Sequence, residues 1–416
     1  MYTEIKKCRI CGNENLISII NLGEQKLTGV FPHPNENVCD GPLELVKCMP
    51  RYRGGICCGL VQLRHSCVGE DMYGNNYGYR SGLNQDMVNH LMDISDMAQK
   101  LVELKEGDIV LDIGSNDATL LKSYTNRKLD LVGIDPTGTK FNKYYTDDIQ
   151  LVSDFFSAEN FHRIRHGKKA KVITSIAMFY DLENPQIFVN DIEEILDENG
   201  IWILEQSYLP AMLETNSYDT ICQEHLEFYC LIQIQWLVEK AGMKVINVCQ
   251  NKVNGGSFQV TVAKRDSIFE TSSNVEALIK WELENGFNML QPFQEFKNKV
   301  ELHKLHLLQF LKEEKSKGKV ILGYGASTKG NVLLQYCGIT TEYITAIAEV
   351  NEDKYGCVTP GTNIPIISEE EARNMNPDYF VVLPWHFREF ILKKEEKFRN
   401  DSGCKFVFPL PLFEVV

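Results

Sequence analysis

Three things are missing from this 416-residue chain. No apolar stretch approaches the ~20 residues that span a bilayer, so an embedded membrane protein is not expected. No signal-type apolar segment follows Met1-Tyr2-Thr3-Glu4-Ile5-Lys6-Lys7, which makes the cytoplasm the expected compartment. Positive charge is also short: the formal net charge is −14, which argues against a nucleic-acid groove or an anionic membrane as partner. A local basic pocket for one phosphorylated small molecule stays compatible with that balance. Internal repeats and low-complexity linkers are absent too. With 44% hydrophobic and 24% charged residues, the chain reads as a soluble globular protein of roughly two to three domains packed on one another.

Cysteine, by contrast, is plentiful. There are thirteen, and Cys8, Cys11, Cys39, Cys48, Cys57, Cys58 and Cys67 fall within the first 67 residues. Where thiols stay reduced, such a cluster reads as metal ligation rather than disulfides. Cys8-Arg9-Ile10-Cys11-Gly12 is a C-x-x-C knuckle, whose glycine lets backbone N–H groups turn toward thiolate sulfur. Cys48 and Cys58-Gly59 offer a second pair. Cys57 competes with Cys58 for the fourth place, and the glycine after Cys58 favours Cys58. Four thiolates leave no open coordination position, so the expected ion is a structural zinc. Residues 1–78 are thus expected to form a small zinc-binding domain. Only short strand-like runs, at 45–47 and 60–63, are visible there, and so little core needs a staple. The remaining six cysteines read as small buried hydrophobes.

From 79 to 265, strand candidates at 109–114, 130–135, 170–177, 200–207, 244–251 and 257–264 alternate with helical patterns. Alternation predicts a mainly parallel sheet with helices on both faces. The turn Asn254-Gly255-Gly256 makes the last two strands a hairpin. Residues 109–136 carry the densest signal. An apolar strand enters Asp112-Ile113-Gly114-Ser115-Asn116-Asp117, a helical pattern follows, and a second strand ends at Asp135. That is one half of a nucleotide-type site in an open α/β sheet, with N–H groups at a helix start and an acid for ribose hydroxyls. An ordinary βαβ unit is the plainer alternative. The turn reads D-x-G-x-x-D, and in this it resembles the S-adenosylmethionine loop of class I methyltransferases. On that likeness Asp112, Gly114 and Asp117 lie under the methionine half of the cofactor, whose sulfonium and ammonium groups suit carboxylates. Ser115 and Asn116 complete the loop. Asn116 stands where many such loops have a second glycine, which is expected to change loop shape rather than ligand. Asp154-Phe155 would reach the adenine, although Asp154 could instead cap a helix.

Two further segments bear chemistry. Glu224-His225 lies among aromatic residues on the loop side of the strand ending near 206. A histidine of near-neutral pKa is a natural base for a carbon acid beside a carbonyl, and a carboxylate can fix its tautomer; a structural Glu-His pair is the alternative. In the last region, 266–416, a helical stretch at about 272–316 carries Leu302, Leu305, Leu308 and Phe310, and a second α/β pattern comes after it. Gly323-Tyr324-Gly325-Ala326-Ser327-Thr328-Lys329 leaves a strand and opens a helix, as a pyrophosphate site would. Ser327 and Lys329 are its candidate contacts. Asn254, Trp385 and His386 could meet a base or sugar, or could be turn structure and edge packing.

Taken in order, the Cys knuckle with 58–63, Tyr77 to Gly82, Asp112 to Asp117, 224–229, Gly255 to Ser257 and Gly323 to Gly330 resemble the sugar C-methyltransferases that act on nucleotide-linked deoxysugars. The resemblance covers nearly the whole chain. It implies three domains: the zinc domain, a central class I methyltransferase domain with a Rossmann-like sheet, and a C-terminal Rossmann-like α/β domain gripping the nucleotide. It implies S-adenosylmethionine and a 4-keto nucleotide-sugar as reactants. It also implies His225 as the base that makes an enediolate, Glu224 assisting, and Tyr77 or Tyr79 reaching the sugar. Two positions depart from the family: Cys222-Gln223, where Tyr and His are common, and Ala177-Met178-Phe179-Tyr180, where a His is usual. Tyr180 is the candidate substitute. Alternatives are methylation of a sugar hydroxyl and, from another class, an NAD-dependent oxidoreductase using the Gly323 turn with Glu349 as its nearest ribose acid. A zinc-ribbon nucleic-acid binder is disfavoured by the charge. A monomer or small homo-oligomer is expected.

Overall fold

The computed structural model describes residues 2–52, 55–67, 80–125 and 128–416. Three α/β or all-β layers succeed one another along the chain. Near the N-terminus, Leu16–Lys26, Asp40–Cys48 and Val61–Leu63 pair antiparallel. The fourth strand of this sheet, Glu227–Phe228, comes from far along the chain and pairs with Val61 and Gln62. Of the short runs expected here, 45–47 is part of the nine-residue strand Asp40–Cys48 and 60–63 covers the three-residue strand Val61–Leu63, while the 11-residue strand Leu16–Lys26 was not expected. Register shifts at Ser18/Ile20 and Asn21/Glu24 explain why it was hidden. Each bulge inserts a residue and breaks the alternation by which a strand is recognised.

The central sheet has seven strands in the order Met243–Asn251, Ser257–Lys264, Leu196–Ser207, Ala170–Ile176, Ile109–Ile113, Asp130–Ile134, Ile149–Val152. Five are parallel, and Ser257–Lys264 runs antiparallel to its two neighbours. The parallel strands are buried nearly throughout, Val110, Leu111, Val172 and Ile173 all being at 0% exposure, because helices cover both faces. From Ile109–Ile113 the chain winds outward to one side and then crosses to Ala170–Ile176 on the other. The resulting switch point opens a crevice at the carboxyl ends of these two strands, where an open sheet places its ligand.

The C-terminal sheet has six strands in the order Ile366–Ser368, Ile347–Glu349, Ile321–Tyr324, Tyr379–Val382, Lys405–Phe408, Glu414–Val415, parallel except for the last. Before it, the single helical stretch expected at 272–316 is two helices, Ser273–Glu284 and Gln291–Ser316, with Gly286 between them at φ 73°. The buried stripe of the second helix is Phe293, Phe296, Val300, Leu307 and Leu311, which keeps helical spacing. Leu302 and Leu305, taken from the sequence as part of the apolar face, are exposed. No helix among the described residues is long and apolar enough to cross a membrane.

Candidate active site

In the N-terminal domain the two cysteine pairs converge. The Sγ atoms of Cys8, Cys11, Cys48 and Cys58 all lie within 4.8 Å of one another. Cys8–Cys58 and Cys11–Cys48 are separated by 3.4 and 3.5 Å. A tetrahedron of thiolates about 2.3 Å from zinc has edges of about 3.8 Å, so the four fit that ion. Gly12 and Gly59, which follow a cysteine in each pair, sit at φ 71° and 72°, left-handed values that a side chain would strain. Cys57 turns away, its Sγ lying 3.6 Å from the Cys48 carbonyl, which resolves the fourth ligand as Cys58. The four thiols are placed to hold a structural zinc ion.

The crevice at the central switch point opens into a cavity of about 520 Å³. Asp112, Gly114, Ser115, Asn116, Asp135 and Phe155 line it from the central domain. Asn116 takes φ 50°. Asparagine tolerates that left-handed conformation, so the loop keeps a glycine-like backbone here, contrary to the expected change of shape. The Asn116 N–H donates to Asp135 Oδ2 at 2.7 Å, and Thr137 donates to Oδ1 through its N–H (2.6 Å) and hydroxyl (2.5 Å). Three donors on about four lone-pair sites leave Asp135 room for one more partner, as a ribose hydroxyl would need. Asp112 accepts from Thr174 Oγ1 at 2.5 Å, and burial pushes its carboxyl up to about 7.

Two cofactor candidates face elsewhere. The Asp117 carboxylate accepts from the Gly82 N–H (3.1 Å) and the Thr119 hydroxyl (2.5 Å), so it fastens the segment before the helix Gln85–Leu101. Asp154 is exposed and accepts from the Phe155 N–H. It does not cap the next helix either; Ser157 does.

The loop 220–228 brings in Glu224 and His225. His225 Nδ1 lies 2.9 Å from the Thr220 carbonyl. A carbonyl only accepts, so Nδ1 carries the proton and Nε2 keeps the lone pair. Burial depresses the imidazole to about 4, with the Thr220 bond opposing and the Lys329 charge adding. Burial raises the neighbouring Glu224 carboxyl to about 7. Both line the cavity, and their environments push their pKa values apart, which is how an acid and a base are separated in one site. The Tyr180 ring packs edge-on against His225, centroids 4.3 Å apart. Of the two departures at 222–223, Cys222 is buried in the cavity wall. Gln223 reaches the zinc domain, accepting from the Thr28 hydroxyl (3.1 Å) and donating to the Gln25 carbonyl (3.2 Å). Tyr77 and Tyr79 lie outside the described residues.

The C-terminal sheet closes the cavity. Ser327 and Lys329 line it, with Asn254 beside them. Ser327 caps the helix Thr328–Cys337 by accepting from the Gly330 N–H, and Lys329 Nζ donates to the Asn254 carbonyl at 2.9 Å. Trp385 and His386 stand behind this wall. The Trp385 indole is buried and donates to Asp219 Oδ2 at 2.7 Å, while burial drives His386 down to about 3.

Among the cavity residues missed by sequence reasoning are Gly29, Phe31, Glu205 and Lys354. Gly29 has a steric reason, since a Cβ there would stand 2.1 Å from Glu224 Oε1. Lys354 Nζ sits 4.2 Å from the centre of the Phe31 ring and donates to the Ala326 carbonyl. Glu349, the acid a dinucleotide reading would need, accepts from the N–H groups of Ala326, Val350 and Asn351 and is not among the residues that line the cavity.

Three family models match the chain. They are described as "Putative zinc binding domain" over residues 8–73, methyltransferase domain over 88–248 and C-methyltransferase C-terminal domain over 252–411. The C-methyltransferase NovU of Streptomyces niveus is 27% identical over 412 residues, which is 98% of this chain and 96% of that protein. Among solved structures, the plantazolicin methyltransferase BpumL in complex with SAH is similar over 42% of this chain and 82% of its own, at 14% identity and TM-score 0.34. The CcbJ methyltransferase from Streptomyces caelestis is similar over 42% and 89%, at 9% identity and TM-score 0.33.

Proposed function

Because this chain is an S-adenosylmethionine-dependent C-methyltransferase, we propose that its acceptor is a nucleotide-linked 4-keto deoxysugar, methylated on the carbon beside the ketone. The carrying observation is the division of charge in the cavity. The central sheet contributes Asp112, Asp135 and Glu205, while the C-terminal sheet contributes Lys329 and Lys354. In a chain of net charge −14, two lysines on one wall are a local inversion of sign. Burial lowers the pKa of both, a desolvation cost that a diphosphate would offset. The acidic wall suits a cationic donor and the basic wall an anionic acceptor.

When bound, S-adenosylmethionine supplies an electrophilic methyl group on sulfur. The chain's residues do the rest. His225 Nε2 takes the proton from the acceptor carbon, and the Thr220 carbonyl holds the ring in the tautomer that can do so. Glu224, protonated below about 7, donates to the ketone oxygen as negative charge gathers there, stabilising the enediolate. That carbon then takes the methyl group in line. A four-thiolate zinc site would suit a reducing compartment such as the cytoplasm.

A panel of dTDP-, GDP- and CDP-linked 4-keto sugars in deuterated water tests the reading. Exchange at the α carbon without the donor, and a product heavier by one methyl with it, are expected. Turnover on a non-keto sugar without exchange overturns it. A second expectation concerns the basic wall. Lys329→Ala should raise the acceptor KM about ten- to a hundredfold, the scale of a lost charge-assisted hydrogen bond, while donor affinity stays level by calorimetry.

A further inference from the structure

Glu205 carries no sequence signal, yet it is held in the cavity by three hydrogen bonds. It lies near the end of the strand Leu196–Ser207, within Ile203-Leu204-Glu205-Gln206-Ser207, which carries no motif. Its side chain is 3% exposed and lines the cavity beside Met87 and Leu91 of the helix Gln85–Leu101. Oε1 accepts from His90 Nε2 at 2.6 Å. Oε2 accepts from Asn251 Nδ2 at 2.9 Å and Gln259 Nε2 at 3.1 Å. No lysine or arginine among the described residues pairs with it. About one lone-pair site of four stays free.

The acids of the donor loop are less suited to a cation. Asp117 is turned to Gly82 and Thr119, and Asp112 has one hydroxyl donor and a carboxyl raised by burial. Glu205 also stands at a useful distance. Its strand is the third from that of Asp135 in the sheet order, about 14 Å at the backbone by strand spacing. Both side chains reach inward from there. A donor with its ribose at Asp135 would carry its amino-acid end toward Glu205.

We propose that Glu205 seats the α-ammonium group of the methyl donor, with His90 as the positioning residue that fixes its carboxylate. The inference concerns the donor alone, so its failure would leave the acceptor reading where it stands.

The test is calorimetric binding of S-adenosylmethionine, S-adenosylhomocysteine and 5′-methylthioadenosine, which lacks the amino-acid end. Glu205→Gln should weaken the first two about ten- to a hundredfold, as for a lost charge-assisted hydrogen bond, and leave the third within about twofold. His90→Gln, whose amide can still donate, should bind all three nearly as the parent does. His90→Leu should lose affinity for the first two only. Equal loss for all three ligands overturns the proposal, as does no loss, or a loss confined to S-adenosylmethionine, which would place the carboxylate at the sulfonium. If Glu205→Gln fails to fold by thermal melt, the contrast between His90→Leu and His90→Gln decides the matter alone.

Discussion

Replacing His225 with Asn is expected to cut methyl transfer by about 10²–10⁴-fold, the usual worth of a positioned base, while S-adenosylmethionine affinity stays nearly unchanged. The separation comes from the geometry. His225 belongs to the loop 220–228, not to the strand ends that carry Asp112 and Asp135, and it lines the cavity with Nδ1 tied to the Thr220 carbonyl. Asparagine preserves bulk and polarity but has no basic nitrogen. Near-normal rates would remove His225 from the base role. The pH profile gives an independent check. With the imidazole depressed to about 4 and the Glu224 carboxyl raised to about 7, base and acid are both in working form between these values. The rate should therefore fall as pH rises through about 7 and Glu224 ionises. Glu224→Gln, which cannot ionise, should lose that limb. A rate that climbs through 7 instead would show that ionised Glu224 is the active form.

Removing the zinc is the second change expected to have a large effect, even though the ion takes no part in the reaction. The strand Glu227–Phe228, two residues after His225, is paired to Val61 and Gln62, three residues past Cys58. Leu63 N–H donates to the Leu226 carbonyl, and Gln233 Nε2 donates to the Cys58 carbonyl. The wall residue Gly29 and the partners of Gln223 belong to the same domain. A four-thiolate site contributes about 10–16 kcal/mol in isolated zinc peptides, enough to hold a domain of this size. Treatment with a strong chelator is expected to abolish turnover in proportion to zinc lost, and added zinc should restore it. Full activity in protein shown by metal analysis to be zinc-free would overturn the link. Cys58→Ser should behave like the chelated protein.

How far the sequence reached depended on whether a feature was local. Cys8 to Cys11 and the strand-turn-helix at Ser327 are held by local bonds, so residue spacing alone indicates their shape. The alternation of strands and helices from 109 to 264 was legible because parallel strands buried on both faces are continuous apolar runs. The bulged strand Leu16–Lys26 of the zinc domain was not legible, because a bulge erases the period. Leu302 and Leu305 misled because an exposed leucine on a helix looks the same in sequence as a buried one.

The sequence by itself determined the cysteine cluster, the place of the Asp112–Asp117 turn and the order of the layers, since covalent spacing sets which side chains can converge and which turns can form. Only the tertiary structure decided the rest. It separated Cys58 from Cys57, turned Asp117 and Asp154 away from the cavity, and brought Gly29, Glu205 and Lys354 into it from segments more than a hundred residues apart. It also drew apart the titration of two adjacent residues, Glu224 and His225. The reason is physical: desolvation and pairing depend on what packs over a group, and here that cover comes from distant parts of the chain.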